Sequence, residues 1–151
     1  MTSVTLRQAN AIIDATLAKA RELGLGRLAV AVLDPGGHVV ALKREDGSEF
    51  LRNGLAIGKA YGALGMGHAS GMMHERADRL PALFDALSDM TGGRVVPVAG
   101  GVFIRDTDGA ILGAVGVSGD TSERDEVVAI AGIEAAGLQA DHGQNPEWRR
   151  P

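Results

Sequence analysis

The sequence predicts an α+β fold in which helices pack on an antiparallel sheet of about four or five strands. Two pairs of short apolar runs are each joined by a turn sequence, Asp34-Pro-Gly-Gly37 in one and Arg105-Asp-Thr-Asp-Gly109 in the other. Such pairs are hairpins, and hairpins pair antiparallel. Segments with apolar residues at helical spacing precede, separate and follow the hairpins. Gly113, Gly116 and Gly119 do not spell GxGxxG, and no phosphate-loop Lys-Ser/Thr follows them, which removes the doubly wound nucleotide-binding alternative.

The elements follow in order. From Thr5 to Leu23, Leu6, Ala9, Ile12, Ile13, Thr16, Leu17 and Ala20 recur at helical spacing, and Gly24 stops the helix. Leu28 to Leu33 and His38 to Lys43 are the first hairpin. Phe50 to about His68 reads as a helix despite Gly54, Gly58, Gly62 and Gly65, which share one face and cost about 1 kcal/mol each in helix propensity. Something must approach that face closely, either another element or a flat ligand. Ala69 to His74 reads as a break. Arg79 to Met90 is a short helix with Pro81 in its first turn. Val98 to Ile104 and Ala110 to Val117 are the second hairpin, and a helix from Ser122 to Gln139 closes the fold. Its expected core stripe is Val127, Ile130, Ala131 and Leu138, with Ser122 to Asp125 resembling a capping box. Residues 1–140 make one domain and 141–151 a polar tail containing Trp148.

Composition narrows the function classes. A formal charge of -4 with scattered basic residues is a poor match to nucleic acid. There is no cysteine, which removes thiolate metal sites and cysteine nucleophiles. No apolar run approaches the roughly 20 residues of a membrane span, and the first residues lack a secretory pattern, so the cytoplasm is the expected location. The 22 glycines sit between apolar residues and mark close backbone contacts.

The stretch Gly113-Ala-Val-Gly-Val-Ser-Gly-Asp-Thr-Ser-Glu-Arg-Asp125 is a strand-to-helix junction, where free N–H groups of a first helical turn favour an anion. Ligand-binding candidates are Arg44 and Asp46 on a polar rim, Gly58 and Gly62 on the glycine face, Gly101 within the first strand of the second hairpin, and Ser118, Gly119 and Asp120 at the junction. Lys59 is one of three lysines and is placed to hold a carboxylate, and Asp125 is the candidate proton-transferring group, so these two are the catalytic candidates. His68 and His74 are the candidate metal ligands. Six residues apart, they would point about 240° apart on a continuous helix and so cannot form a two-ligand face there.

Several segments together resemble the GlcG/HbpS family of haem-binding or haem-degrading domains, which includes the C-terminal domain of PduO-type proteins. They are Val30-Ala-Val-Leu-Asp-Pro-Gly-Gly-His38, Arg44-Glu-Asp-Gly47, Ala56-Ile-Gly-Lys-Ala60, Gly100-Gly-Val102 and, most specific, Gly113 to Gly119 followed by Asp125. The resemblance spans roughly residues 5–139. It implies a profilin-like antiparallel sheet with helices packed on it, a homo-oligomer, a link to haem or corrinoid chemistry and a place in a catabolic gene cluster. The chain departs from the family pattern at Gly62, Phe103 and Glu45.

Two functional readings result. The first is a cytoplasmic, oligomeric small-ligand-binding protein that takes haem or another planar tetrapyrrole, with His68 or His74 on the iron. The second is an enzyme of proton-transfer or lyase type acting on a small hydroxy or oxo carboxylate, held at Ser118 to Ser122 with Lys59 or Arg44.

Overall fold

The structure, a computed structural model, describes residues 2–144; Trp148 of the polar tail lies outside the described residues. Strands β1 (Ala29–Leu33), β2 (Val39–Arg44), β3 (Gly101–Arg105), β4 (Ile111–Ser118) and β5 (Gln139–Asp141) make one antiparallel sheet in the order β2-β1-β4-β3-β5. Helices are α1 (Leu6–Glu22), α2 (Leu51–Met66), α3 (Ser70–Arg79), α4 (Pro81–Thr91) and α5 (Ser122–Ala135).

Side-chain alternation along the strands divides the core in two. Val30, Val32, Val102, Ile104, Val115 and Val117 face α1 and α5, packing on Ile12, Ile13, Val128 and Ile133. Each such side chain, once buried, contributes about 1.5–3 kcal/mol. The opposite face is lined by small residues, Ala29, Ala31 and Ala114, and receives α2 through Ala56, Ala60 and Ala63. α2 lies so close that a Cβ at Gly116 would fall on the carbonyl oxygen of Ala56.

Local chemistry sets the helix ends. Thr5 and Gln8 form a reciprocal capping box, with Gln8 N–H donating to Thr5 Oγ1 at 3.1 Å and Thr5 N–H to Gln8 Oε1 at 2.9 Å. α2 ends at Gly67, whose φ of 71° is the left-handed conformation glycine adopts at no steric cost.

Four expectations are corrected. Ala69 to His74 is not a break but the start of α3, because Ala69 is extended (ψ 143°) only for one residue before the chain turns helical again. α5 ends at Ala135, and residues 139–141 pair with β3 instead, so the expected tail begins inside a strand. Asp141 is buried there and pairs with Arg105 at 2.8 Å. Of the expected stripe, Ile130 and Leu138 pack partly buried against the core, but Val127 is 51% exposed, and the buried residues of α5 are Asp125, Val128, Ala129, Gly132 and Ile133. The helix is capped by Thr121 rather than Ser122, the Thr121 hydroxyl accepting from Arg124 N–H.

Candidate functional site

The junction after β4 has its anions built in. Asp120 N–H donates to Asp125 Oδ1 at 3.0 Å, Thr121 N–H to Asp120 Oδ1 at 2.8 Å, and Arg124 N–H to the Thr121 hydroxyl at 3.3 Å. From the neighbouring loop, Gly26 N–H donates to Asp120 Oδ2 at 2.8 Å. The N–H bonds from Gly26 and Thr121, followed by the Arg124 charge, hold the Asp120 carboxyl below its ordinary range. The negative charge expected at this helix entrance is therefore supplied by Asp120 and Asp125 themselves. A Cβ at Gly119 would meet the Arg27 carbonyl oxygen, so this glycine serves a close backbone crossing.

The two catalytic candidates come together. Lys59 Nζ donates to Asp125 Oδ2 and to the Val117 carbonyl, both at 2.9 Å. The two side chains are only 4% and 1% exposed. Burial pushes the Asp125 carboxyl up, opposed by the Lys59 charge and hydrogen bond. The ammonium is therefore committed to an internal partner and locks α2, β4 and α5 to one another. Gly100 and Gly101 let β3 pass beneath: a Cβ at Gly101 would fall on the Lys59 carbonyl oxygen, and Gly101 N–H donates to Ser70 Oγ at 2.6 Å.

The glycine face of α2 has two different halves. At Gly58 a Cβ would strike Val96 and the Arg94 carbonyl, and at Gly62 it would lie 3.1 Å from Val95 and 3.2 Å from Met73. The segment after α4 thus lies across these two glycines, with Arg94 stacked on Tyr61 at 4.7 Å. Gly54 and Gly65 face open space. Arg44 and Asp46 lie apart from the buried pair, in an open groove with Leu17, Arg27, Lys43 and Glu45. Glu45 holds this rim together, accepting from Leu28 N–H at 2.8 Å and pairing with Arg21 at 3.1 Å.

His68 and His74 take different partners. The half-buried His68 has its Nε2 2.9 Å from the Arg76 guanidinium, whereas His74 is 63% exposed and 3.9 Å from Asp78. Among the described residues no three His, Asp or Glu side chains are grouped to hold a metal ion. Sequence reasoning passed over Ser70, Arg52 and Glu126. Arg52 reaches Ser118 Oγ at 3.4 Å. Burial pushes the Glu126 carboxyl up where it lies against Gly71. All three act across the fold, and no local pattern marks them.

With this geometry in place, comparison with known proteins is decisive for kinship. A family model described as "Haem degrading protein HbpS-like" matches residues 4–134. The chain belongs to the HbpS-like family. A 15.0 kDa protein from the dhaT-dhaS intergenic region of Citrobacter freundii is 29% identical over 134 residues, 87% of this chain and 91% of that one. A variant of HbpS from Streptomyces reticuli superposes with a TM-score of 0.73 at 29% identity, covering 89% of this chain and 87% of that one. A PduOC–haem complex superposes with a TM-score of 0.81 at 24% identity, covering 92% and 99%, a likeness of fold. No helix among the described residues is long and apolar enough to cross a membrane.

Proposed function

We propose that this HbpS-like protein is a cytoplasmic, self-associating binder of haem or a related tetrapyrrole. The family match over residues 4–134 carries this reading. Among the donors present, His68 suits the group best. It offers a half-buried imidazole for iron beside Arg76, a cation suited to a propionate, and the exposed Met72 borders the same turn. Bound there, haem would bring redox and oxygen chemistry that this chain's own side chains lack. Arg76 donates to the ring nitrogen that iron would compete for, so its position sets how readily the imidazole is released. His74, exposed and beside Asp78, is the weaker donor.

Self-association is supported by α4. None of its residues is buried, and Leu83 and Met90 are 40% and 74% exposed, with Leu80 at its entrance 47% exposed. An unpartnered apolar face of this kind is ordinarily covered by another surface. Titration of the protein with hemin tests the binding reading. A saturable Soret shift at stoichiometric haem is expected; its absence removes the reading.

A further inference from the structure

An open groove at the end of β2 gathers positive charge that the fold does not use up. It has a volume of about 640 Å³ and is lined by Leu17 of α1, Arg27 of the loop before β1, and Lys43, Arg44, Glu45 and Asp46. Small-molecule sites commonly measure roughly 300–1,000 Å³. Three cations thus line one space in a chain whose formal charge is -4, so the groove draws anions against the sign of the whole protein.

Of the two acids in the lining, one is already engaged. Glu45 accepts from Leu28 N–H at 2.8 Å and pairs with Arg21 at 3.1 Å, which leaves its side chain 13% exposed. Arg27 reaches Glu45 only at 3.8 Å and stays 57% exposed, while Lys43 is steadied by Asp14 at 2.6 Å. Among the described residues the side chains of Arg44 and Asp46 have no ion-pair or hydrogen-bond partner, not even each other. The backbone carrying them is fixed all the same, because Arg44 is in register with Ala29 and Glu45 N–H donates to the Leu28 carbonyl at 2.9 Å. An uncommitted guanidinium on a strand end, with a second guanidinium and an ammonium lining the same groove, suits the oxygens of a phosphate, which each planar fork can bind in pairs. The Asp46 carboxylate accepts only, so it favours a ligand that also carries a hydroxyl.

We propose that this groove binds a small hydroxylated phosphate monoester, its phosphate held by Arg27, Lys43 and Arg44 and a hydroxyl by Asp46. None of these residues belongs to the turn that holds His68 and Arg76, and hemin takes no part in the test. Glycerol 3-phosphate and ethyl phosphate, which lacks the hydroxyls, are titrated into the full chain at constant ionic strength while the amide resonances of residues 27 and 43–47 and the melting temperature are followed. Glycerol 3-phosphate is expected to saturate, to shift those resonances and to raise the melting temperature, with ethyl phosphate weaker. Arg44 and Asp46 are exposed, so variants at both are expected to fold. Arg44→Gln is expected to weaken both esters at least about tenfold, and Asp46→Ala to bind the two alike. Arg79→Gln removes the same charge from an exposed site on α3 and is expected to leave binding unchanged. No saturable binding, equal weakening by Arg44→Gln and Arg79→Gln, or a preference for glycerol 3-phosphate that survives Asp46→Ala overturns the proposal.

Discussion

Lys59 and Asp125, 66 positions apart in sequence, meet at 2.9 Å inside the protein with almost no solvent contact. Breaking a buried pair from one side leaves a charge without compensation, at a cost of about 3–5 kcal/mol, while replacing both with apolar groups is far less damaging. Lys59→Met and Asp125→Leu alone are each expected to lose stability in that range, and the double variant less than their sum. A denaturant double-mutant cycle measures the coupling; additivity would show that the pair contributes nothing jointly.

Two acids give opposite pH signatures. Asp120 is held below its ordinary 3.8, so its contribution is present above that value and is lost as pH falls through the folded-state value. Glu126 is raised above 4.5 by burial, against the pull of His142 and with the push of Glu123. The folded state then binds its proton more tightly, and the contribution present at low pH is lost as pH rises through the folded-state value. Asp120→Asn is therefore expected to flatten acid destabilisation below pH 3.8, and Glu126→Gln to flatten the decline above pH 4.5. Stability measured against pH for both variants checks the signs.

The glycines of α2 divide by neighbour. Gly54→Ala and Gly65→Ala place a methyl in open space and are expected to stabilise by up to about 1 kcal/mol. Gly58→Ala drives a methyl into Val96 and the Arg94 carbonyl and is expected to cost about 1–3 kcal/mol. Thermal unfolding of the three variants distinguishes these outcomes.

His68→Ala is expected to abolish the hemin Soret shift and His74→Ala to leave it in place, because only His68 is half-buried beside a cation. Arg76→Ala is expected to weaken hemin binding without removing it. A shift that survives His68→Ala rejects the assigned ligand.

Leu83→Glu alters an exposed position on α4, so it is expected to leave unfolding unchanged within about 0.5 kcal/mol. The same change is expected to lower the sedimenting mass if α4 is the self-association face. An unaltered mass removes α4 from that role.

Much of the architecture was legible because it is written in local patterns. The Asp34-Pro-Gly-Gly37 and Arg105 to Gly109 turns announced the hairpins, and the α1 stripe with Gly24 announced its helix. At α5 the local pattern placed Ile130 and Leu138 against the core but misplaced Val127. Val127 and Val128 are adjacent apolar residues, and only the packing of α5 on α1 and the sheet decides that Val128 turns inward. β5 was missed because Gln139-Ala-Asp141 has no strand pattern of its own; Arg105 and the free edge of β3 recruit it.

By itself the sequence determined the antiparallel α+β fold and, through Gly113 to Asp125, the family, since turns, helical periodicity and motif order are properties of neighbouring residues. Only the tertiary structure decided what those residues do. It buried Lys59 against Asp125, filled the junction's anion position with Asp120 and Asp125, and laid Val95 and Val96 across Gly58 and Gly62. Each depends on which distant groups are brought together and shut off from water, and desolvation and pairing at a distance leave no local trace in the chain.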